Sequence, residues 1–191
     1  MTESGSKGGL EIEARFLGID KKNLIEALAA LKATDHGENM LNEVIIYDEK
    51  LDWLKQGKFL RLRQLCTRTI LSYKEHQKHT VDGTYEIEFN VGSLEKAQLL
   101  FEKIGFIAYR HQQKLRHTFS YKDVTIDIDT WPKIPPYVEL EGESEVALKH
   151  VAQDLGLDWK NAVFENARVV IETRYNIPLS TLRWFTFDRM E

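Results

Sequence analysis

The sequence predicts an α+β fold in which about eight antiparallel strands are joined mostly as hairpins, with two helical insertions and a helical C-terminus. Three observations predict it. Charged pairs two residues apart recur on segment after segment: Glu11-Ile12-Glu13, Arg61-Leu62-Arg63, Glu86-Ile87-Glu88, Lys114-Leu115-Arg116, Asp127-Ile128-Asp129 and Glu139-Leu140-Glu141. Side chains alternate faces along a strand, so each charged pair shares one face and the aliphatic residues share the other. Most connections between these segments are short enough for hairpins, while the longer ones carry apolar residues at helical spacing.

The elements follow in order. Met1 to Gly9 is rich in Gly and Ser, lacks the apolar stretch of a signal peptide and is expected to be a flexible tail, leaving 10–191 as a single domain. The first strand runs from about Gly9 to Leu17. Asp20 is a helix N-cap, and Leu24, Leu28 and Leu31 form an apolar stripe ending near Lys32. A strand covers 40–47, where Val44, Ile45 and Ile46 favour extended backbone, and a short turn of helix holds Trp53 before Gly57. Strands over 58–65 and 69–75 are joined by a tight turn at Cys66-Thr67. A polar loop then closes on Asp82-Gly83 and leads into a strand over 84–91. Ser93 caps a helix over 94–104 that stops at Gly105.

The segment 106–121 is long for one strand and is expected to bend near Gln112-Gln113. Lys122-Asp123 turns it into 124–130. Trp131-Pro132-Lys133-Ile134-Pro135-Pro136 is a rigid connector, because proline cannot donate to a ladder. The last strand is 137–141, followed by helices over 145–155 and 164–175 and a tail containing Leu182, Trp184 and Phe185.

Composition narrows the function classes. A net charge of −4 argues against bulk nucleic-acid binding, which needs a broad basic surface, but leaves room for a small basic pocket. No apolar run approaches the roughly 18 residues of a membrane span. Cys66 is the only cysteine, so no internal disulfide forms, and a reducing, cytoplasmic location is expected. A single E-x-E or R-x-R on a strand ordinarily marks a solvated face. Here the aliphatic faces also need cover, and helices packed on them would turn the charged faces inward. An open sheet would place those charges in a cleft, and a closed sheet in a polar lumen.

Like charges tolerate such burial only with counter-charges, metals or water. The acidic set is Glu11, Glu13, Glu86, Glu88, Asp127, Asp129, Glu139 and Glu141, and the basic set Arg15, Arg61, Arg63, Lys74, Lys114 and Arg116. Arginine forks grip phosphate oxygens bidentately, and carboxylates are hard oxygen donors suited to Mg²⁺ or Mn²⁺. No P-loop is present, so phosphate would be held by side chains.

The opening Glu11-Ile12-Glu13-Ala14-Arg15 resembles the E-x-E-x-K signature of the CYTH superfamily, the triphosphate tunnel metalloenzymes, and the R-x-R, K-x-R, D-x-D and E-x-E elements follow in the family's order. The resemblance implies an eight-stranded antiparallel β-barrel, or tunnel, with helices outside. It also implies an enzyme that binds a triphosphate and a divalent cation, Mg²⁺ or Mn²⁺. Class IV adenylate cyclases and thiamine, inorganic and RNA triphosphatases belong to that family. By resemblance, Glu11, Glu13, Arg15 and Asp129 are catalytic. Arg15, Arg61, Arg63, Lys74, Lys114 and Arg116 bind substrate phosphate, and Glu11, Glu13, Glu139, Glu141 and Asp127 hold metal. Glu86 and Glu88 either orient the basic side chains or bind metal.

Two departures stand out. The signature lysine is Arg15 here, which cannot supply a neutral amine at ordinary pH. The Trp131–Pro136 segment differs from the glycine-containing turn of many class IV cyclases, which tilts the expectation towards hydrolysis of an inorganic or organic triphosphate, such as thiamine triphosphate or a nucleotide. A class IV adenylate cyclase is the alternative, and a non-catalytic module binding polyphosphate or nucleotide the second. The family allows a homodimer, which no feature of this sequence demands.

The remaining candidates are weaker. The six histidines lack metal-ligand spacing, with His76 and His79 expected at solvent and His117 pointing away from Lys114 and Arg116. Trp131 is expected to pack on the proline connector, and Arg168 and Arg174 to lie on a solvated helix face.

Overall fold

The computed structural model describes residues 7–65, 68–77, 80, 81 and 83–191. The turn at Cys66-Thr67, His79, Asp82 of the Asp82-Gly83 turn and the tail residues 1–6 lie outside the described residues. Lys7 and Gly8, expected in the tail, join Gly9 in opening the first strand.

The described strands form one sheet in the order β1-β6-β5-β4-β3-β7-β8-β9-β2, and the two ends of that order are consecutive pieces of chain. β1 (Lys7–Glu11) pairs with β6 (Thr84–Val91), and β2 (Glu13–Phe16) pairs with β9 (Tyr137–Glu141), all antiparallel. The interruption at Ile12 lets one strand change neighbours: the Ile12 carbonyl accepts from Gly142 N at 3.1 Å, while Glu13 N donates to the Val81 carbonyl at 2.9 Å. Counted as one strand, β1 and β2 bring β3 (Thr34–Asp48), β4 (Lys58–Leu65), β5 (Arg68–His76), β6, β7 (Phe106–Tyr121), β8 (Val124–Thr130) and β9 into a nearly closed barrel. This is the eight-stranded antiparallel barrel with helices outside that the resemblance implied.

Helices cover the outer face where alternation makes it apolar. α1 (Lys21–Ala30) and α4 (Glu145–Asp154) bury Leu24, Leu28, Leu148 and Val151 against Ala14, Phe16, Ile126, Ile128, Val138 and Leu140. α1 starts on the expected cap, Asp20, which accepts from Asn23 N at 3.0 Å, and α4 is capped by Ser144, which accepts from Ala147 N at 3.2 Å. Gly142 makes the approach to α4 possible, since a Cβ there would meet Leu148 and Val124 at 3.2 Å. α3 (Leu94–Lys103), capped by Ser93, lays Leu94, Ala97 and Phe101 over Val44, Ile46, Leu60 and Leu62. Each such fully buried aliphatic side chain stabilises the fold by roughly 1.5–3 kcal/mol.

Four elements differ from expectation. β3 begins at Thr34, not 40, because β7 supplies partners for its polar start, with a register shift between Asp35 and Glu38 where Gly37 takes φ +84°. The irregularity in β7 sits at Tyr109, opposite Ile45 and Ile46, three residues before the expected bend. α5 spans Ala167–Tyr175 and does not start at Phe164. Val163 is bound to Arg15 backbone-to-backbone, and Asn166 caps the helix by accepting from Val169 N at 3.0 Å. The tail adds a two-residue parallel strand, β10 (Trp184–Phe185), to β7.

The short helix α2 (Asp52–Gln56) follows Leu51, whose φ of +58° turns the chain back, and Leu51, Trp53 and Leu54 pack with Ile45, Tyr47, Phe59 and Tyr109. A third cluster holds Trp131, Ile134, Tyr137, Ile171, Leu179 and Phe185, which seats α5 and the tail on the barrel. Among the described residues no helix is long and apolar enough to cross a membrane.

Leu140 faces outward between the inward-facing Glu139 and Glu141 and has no exposed surface. Leu140→Ala is expected to cost about 2–5 kcal/mol in urea unfolding, through lost burial and the cavity left behind, with the inward face unchanged.

Candidate active site

The lumen is a cavity of about 800 Å³, and alternation along each strand decides what faces it. Strand register then sets which charges meet. Arg15 stands opposite Glu139, which stands opposite Asp127; Glu13 stands opposite Glu141, and Asp129 opposite Arg116. On the far wall Arg61 is opposite Ser72, Ser72 opposite Glu88, and Lys74 opposite Glu86. Of the expected site residues, Glu11, Glu13, Arg15, Arg61, Arg63, Lys74, Lys114, Arg116, Asp127, Glu139 and Glu141 all line the cavity. Asp129 does not. It is wholly buried behind Lys114 and Arg116, which donate to it at 2.6 and 2.7 Å. It therefore holds those two cations in place from outside the cavity surface.

The charges form two linked groups. On one side Arg15 donates through Nε to Glu139 at 2.6 Å, through Nη2 to Glu13 at 2.9 Å and through Nη1 to the Glu165 carbonyl at 2.7 Å. Arg116 binds Asp127, Asp129 and Glu139 at 2.5–2.7 Å, which leaves its guanidinium one orientation. On the other side Lys74 reaches both Glu11 oxygens at 2.8 Å and Glu86 at 3.3 Å. Arg61 contacts Ser72 and Glu86 at 3.2 Å and Glu88 at 3.6 Å; its buried Nε has no hydrogen-bond partner among the described residues, the nearest carboxylate oxygen being that of Glu43 at 3.9 Å.

Electrostatics follow burial and neighbours. Burial opposes the charge of Glu139, but Arg15 and Arg116 hold its carboxyl well below the usual range. Glu43 behaves likewise between Arg63 and Arg61. Burial pushes Glu11 up to about 8 despite Lys74, with Glu86 sharing a hydrogen bond and held low by Lys74 and Arg61. Burial opposes the Arg15 charge, but Glu13 and Glu139 more than restore it, and its pKa rises well above the ordinary value. Burial and Arg116 pull the Lys114 amine down.

The donors that the cavity offers from Glu11, Glu13, Asp127, Glu139 and Glu141 are carboxylate oxygens, the type Mg²⁺ and Mn²⁺ prefer. Donor chemistry thus fits. Among the described residues no three His, Cys, Asp or Glu side chains converge as a metal cluster. Arg15 stands between Glu13 and Glu139, and Glu11 is turned to Lys74.

Several lining residues escaped the search for charged pairs. Glu43 stands alone in an aliphatic strand, yet it is 3% exposed and bound by Arg63 Nε at 2.7 Å and Gln112 Nε2 at 2.6 Å. Arg110 and Gln112 share the parity of Lys114 and Arg116, and extending that stripe backwards would have found them. His76, expected at solvent, is half-buried and lines the cavity, and His36 lines it too. His117 points outward, stacked on Phe119 at 4.4 Å. Trp131, expected to pack on the proline connector, stacks on Phe185 of the tail, lines the cavity and carries Lys114 Nζ 5.0 Å from its ring centre. Arg168, expected on a solvated face, lines the cavity and bonds Glu172 at 3.0 Å.

The raised Glu11 has a thermodynamic signature. Between pH 4.5 and about 8 the folded state keeps a proton that the unfolded chain has lost, so stability falls as pH rises, by at most about 1.4 kcal/mol per unit. Urea midpoints across that window are expected to show this slope in the wild type and to lose it in Glu11→Gln.

The geometry agrees with the sequence relationships. The profile of the CYTH domain matches residues 9–163. A search of curated proteins found no significant match. Among solved structures, a Pyrococcus horikoshii OT3 protein superposes with a TM-score of 0.70 at 22% identity, covering 82% of this chain and 96% of its own. A candidate adenylate cyclase from Vibrio parahaemolyticus gives 0.73 at 17% identity, covering 87% and 100%. A candidate adenylyl cyclase from Hippeastrum with a dominant triphosphatase activity gives 0.61 at 15% identity, covering 89% and 96%. With the profile spanning most of the chain and the barrel shared by these structures, the chain belongs to the CYTH family.

Proposed function

We propose that this protein is a divalent-metal-dependent enzyme that binds a triphosphate in its lumen and hydrolyses it. The observation that carries the proposal is six basic side chains (Arg15, Arg61, Arg63, Lys74, Lys114 and Arg116) turned into one cavity. A triphosphate brings a charge of roughly −4 and an array of oxygens, and six fixed cations can take it in without reorganising. The activity ascribed to the Hippeastrum protein is in keeping with hydrolysis.

The chain's own residues divide the work. Arg116, pinned by three carboxylates, and Arg15, pinned by Glu13 and Glu139, present preset donors to phosphate oxygens. Arg15 keeps its charge throughout, so it clamps phosphate and moves no proton. Asp129 positions Lys114 and Arg116 from behind. Glu13 and Glu141, directly opposed on neighbouring strands, would hold Mg²⁺ or Mn²⁺, with Glu11, Glu139 and Asp127 as further oxygen donors. That ion, when bound, would polarise the phosphate and neutralise charge developing on it. Positioning and charge stabilisation supply most of the rate in such a transfer.

Phosphorus-31 NMR with Mg²⁺ or Mn²⁺, run separately on tripolyphosphate, thiamine triphosphate and ATP, tests this. Orthophosphate release is expected. Pyrophosphate with cyclic AMP from ATP would replace hydrolysis by cyclisation, and binding without turnover would reduce the protein to a polyphosphate- or nucleotide-binding module. Arg116→Gln is expected to lower kcat/KM by about 10²-fold or more, since it removes donors aimed at developing charge. Glu13→Gln should abolish metal-dependent turnover while tripolyphosphate still binds in calorimetry; undiminished turnover would remove Glu13 from the metal site.

A further inference from the structure

Each of the six basic residues assigned to phosphate has a carboxylate ion-pair partner. Arg110 has none among the described residues, although it lines the same cavity and is only 3% exposed. Its Nε donates to Gln112 Oε1 at 2.9 Å, and its Nη1 to the Leu179 carbonyl at 3.0 Å. Gln112 is a neutral amide and brings no charge, and its own Nε2 donates to Glu43 at 2.6 Å. The Tyr47 hydroxyl is a further hydrogen-bonding neighbour of Arg110.

The nearest other charges make the imbalance worse. Arg168 repels Arg110 electrostatically and, like Arg110, acts on Tyr47. Glu172 is already bound to Arg168 at 3.0 Å and to Ser180 N at 2.5 Å. Glu172, the acidic group that acts on Arg110, is thus already taken up by Arg168 and a backbone amide. The N-cap of α5, Asn166, and its first two residues, Ala167 and Arg168, line the cavity as well, and a helix start favours negative charge. A buried cation without a counter-ion is expensive, and an oxyanion seated against it would offset that cost.

We propose that Arg110, Arg168 and the Tyr47 hydroxyl form a second, phosphate-class subsite beside the first turn of α5, in the same cavity as the ion-paired cations but built from different residues. Its occupant is a tetrahedral phosphate group, supplied either as the end of a chain longer than three phosphates or as free orthophosphate. The inference rests on the triphosphate reading of the lumen only for the order in which ligands load. Arg110 also ties the tail to the barrel through Leu179. A purely structural clasp would lower stability when removed without changing which phosphates bind.

Calorimetry on the full chain in metal-free buffer, where no turnover occurs, separates these roles. Tripolyphosphate is titrated first, then orthophosphate into the loaded protein; tetrapolyphosphate is compared with tripolyphosphate in parallel. Orthophosphate binding to the loaded wild type identifies the free ion as the occupant, and a tenfold or greater preference for tetrapolyphosphate identifies the chain end. In either case Arg110→Gln and Arg168→Gln should each reduce the effect by about tenfold, the size expected for a lost hydrogen bond to a charged group. Tripolyphosphate affinity should change by less than about threefold. Arg110→Lys, which keeps the charge, should retain part of the effect, and urea midpoints confirm that each variant is folded. Absence of both effects in the wild type, or equal losses for all three phosphates in the variants, would overturn the subsite. Should tripolyphosphate fail to bind at all, the lumen reading falls. Orthophosphate titrated into the unloaded wild type and Arg110→Gln then decides the subsite alone: a tenfold loss supports it, and equal affinity overturns it.

Discussion

Mutual neutralisation of inward-facing charge is the constraint on which this barrel depends. A sheet whose inner face carries Arg15, Arg61, Arg63, Lys74, Lys114 and Arg116 can close only if each cation meets a carboxylate, since removing one partner of a buried pair typically costs about 3–5 kcal/mol. Register supplies the partners. Placing Arg15 across from Glu139, and Arg116 across from Asp129, is a consequence of strand pairing, and a slip of one residue would turn the slipped strand's member of each pair out to the helices. The same lattice of ion pairs that permits closure also holds the guanidiniums rigid. A rigid array of inward-facing donors is therefore a by-product of the requirements of folding.

Closure itself depends on a strand that serves two edges. β1 and β2 are one run of chain broken at Ile12, and each half pairs with a different end of the sheet. That break divides the signature Glu11-x-Glu13-x-Arg15: Glu11 joins Lys74 and Glu86 on one wall, while Glu13 and Arg15 join Glu139 on the other. The two walls thus communicate through the first strand. The C-terminal segment finishes the enclosure, with Leu179 accepting from Arg110, Ser180 accepting from Tyr109 at 2.7 Å and β10 lying along β7.

Much of this was legible in residue order because alternation is a local property. Period-two charge told which residues share a face, and Asp20, Ser93 and Gly105 marked helix ends through chemistry confined to one turn. Residues whose role depends on a distant partner were not legible. Glu43 looks like an isolated surface charge until Arg63 and Gln112 are brought to it. Asp129 reads as one half of a D-x-D pair, and only packing shows it behind the cations and off the cavity surface. α5 starts at Ala167 because Val163 is taken up by Arg15, a pairing 148 positions apart in the chain.

By itself, then, the sequence determined the antiparallel strands, their two faces, the capped helices and the ordered motifs of the CYTH family, since each is encoded within a few residues. Tertiary structure alone decided that the first strand splits at Ile12, that a bulge at Tyr109 accompanies a buried Arg110 without a counter-ion among the described residues, and that Glu11 carries a raised pKa while Glu86 beside it is depressed. These depend on which side chains share one low-dielectric cavity. Burial and Coulombic coupling act through space, and their outcome is set only when the sheet closes.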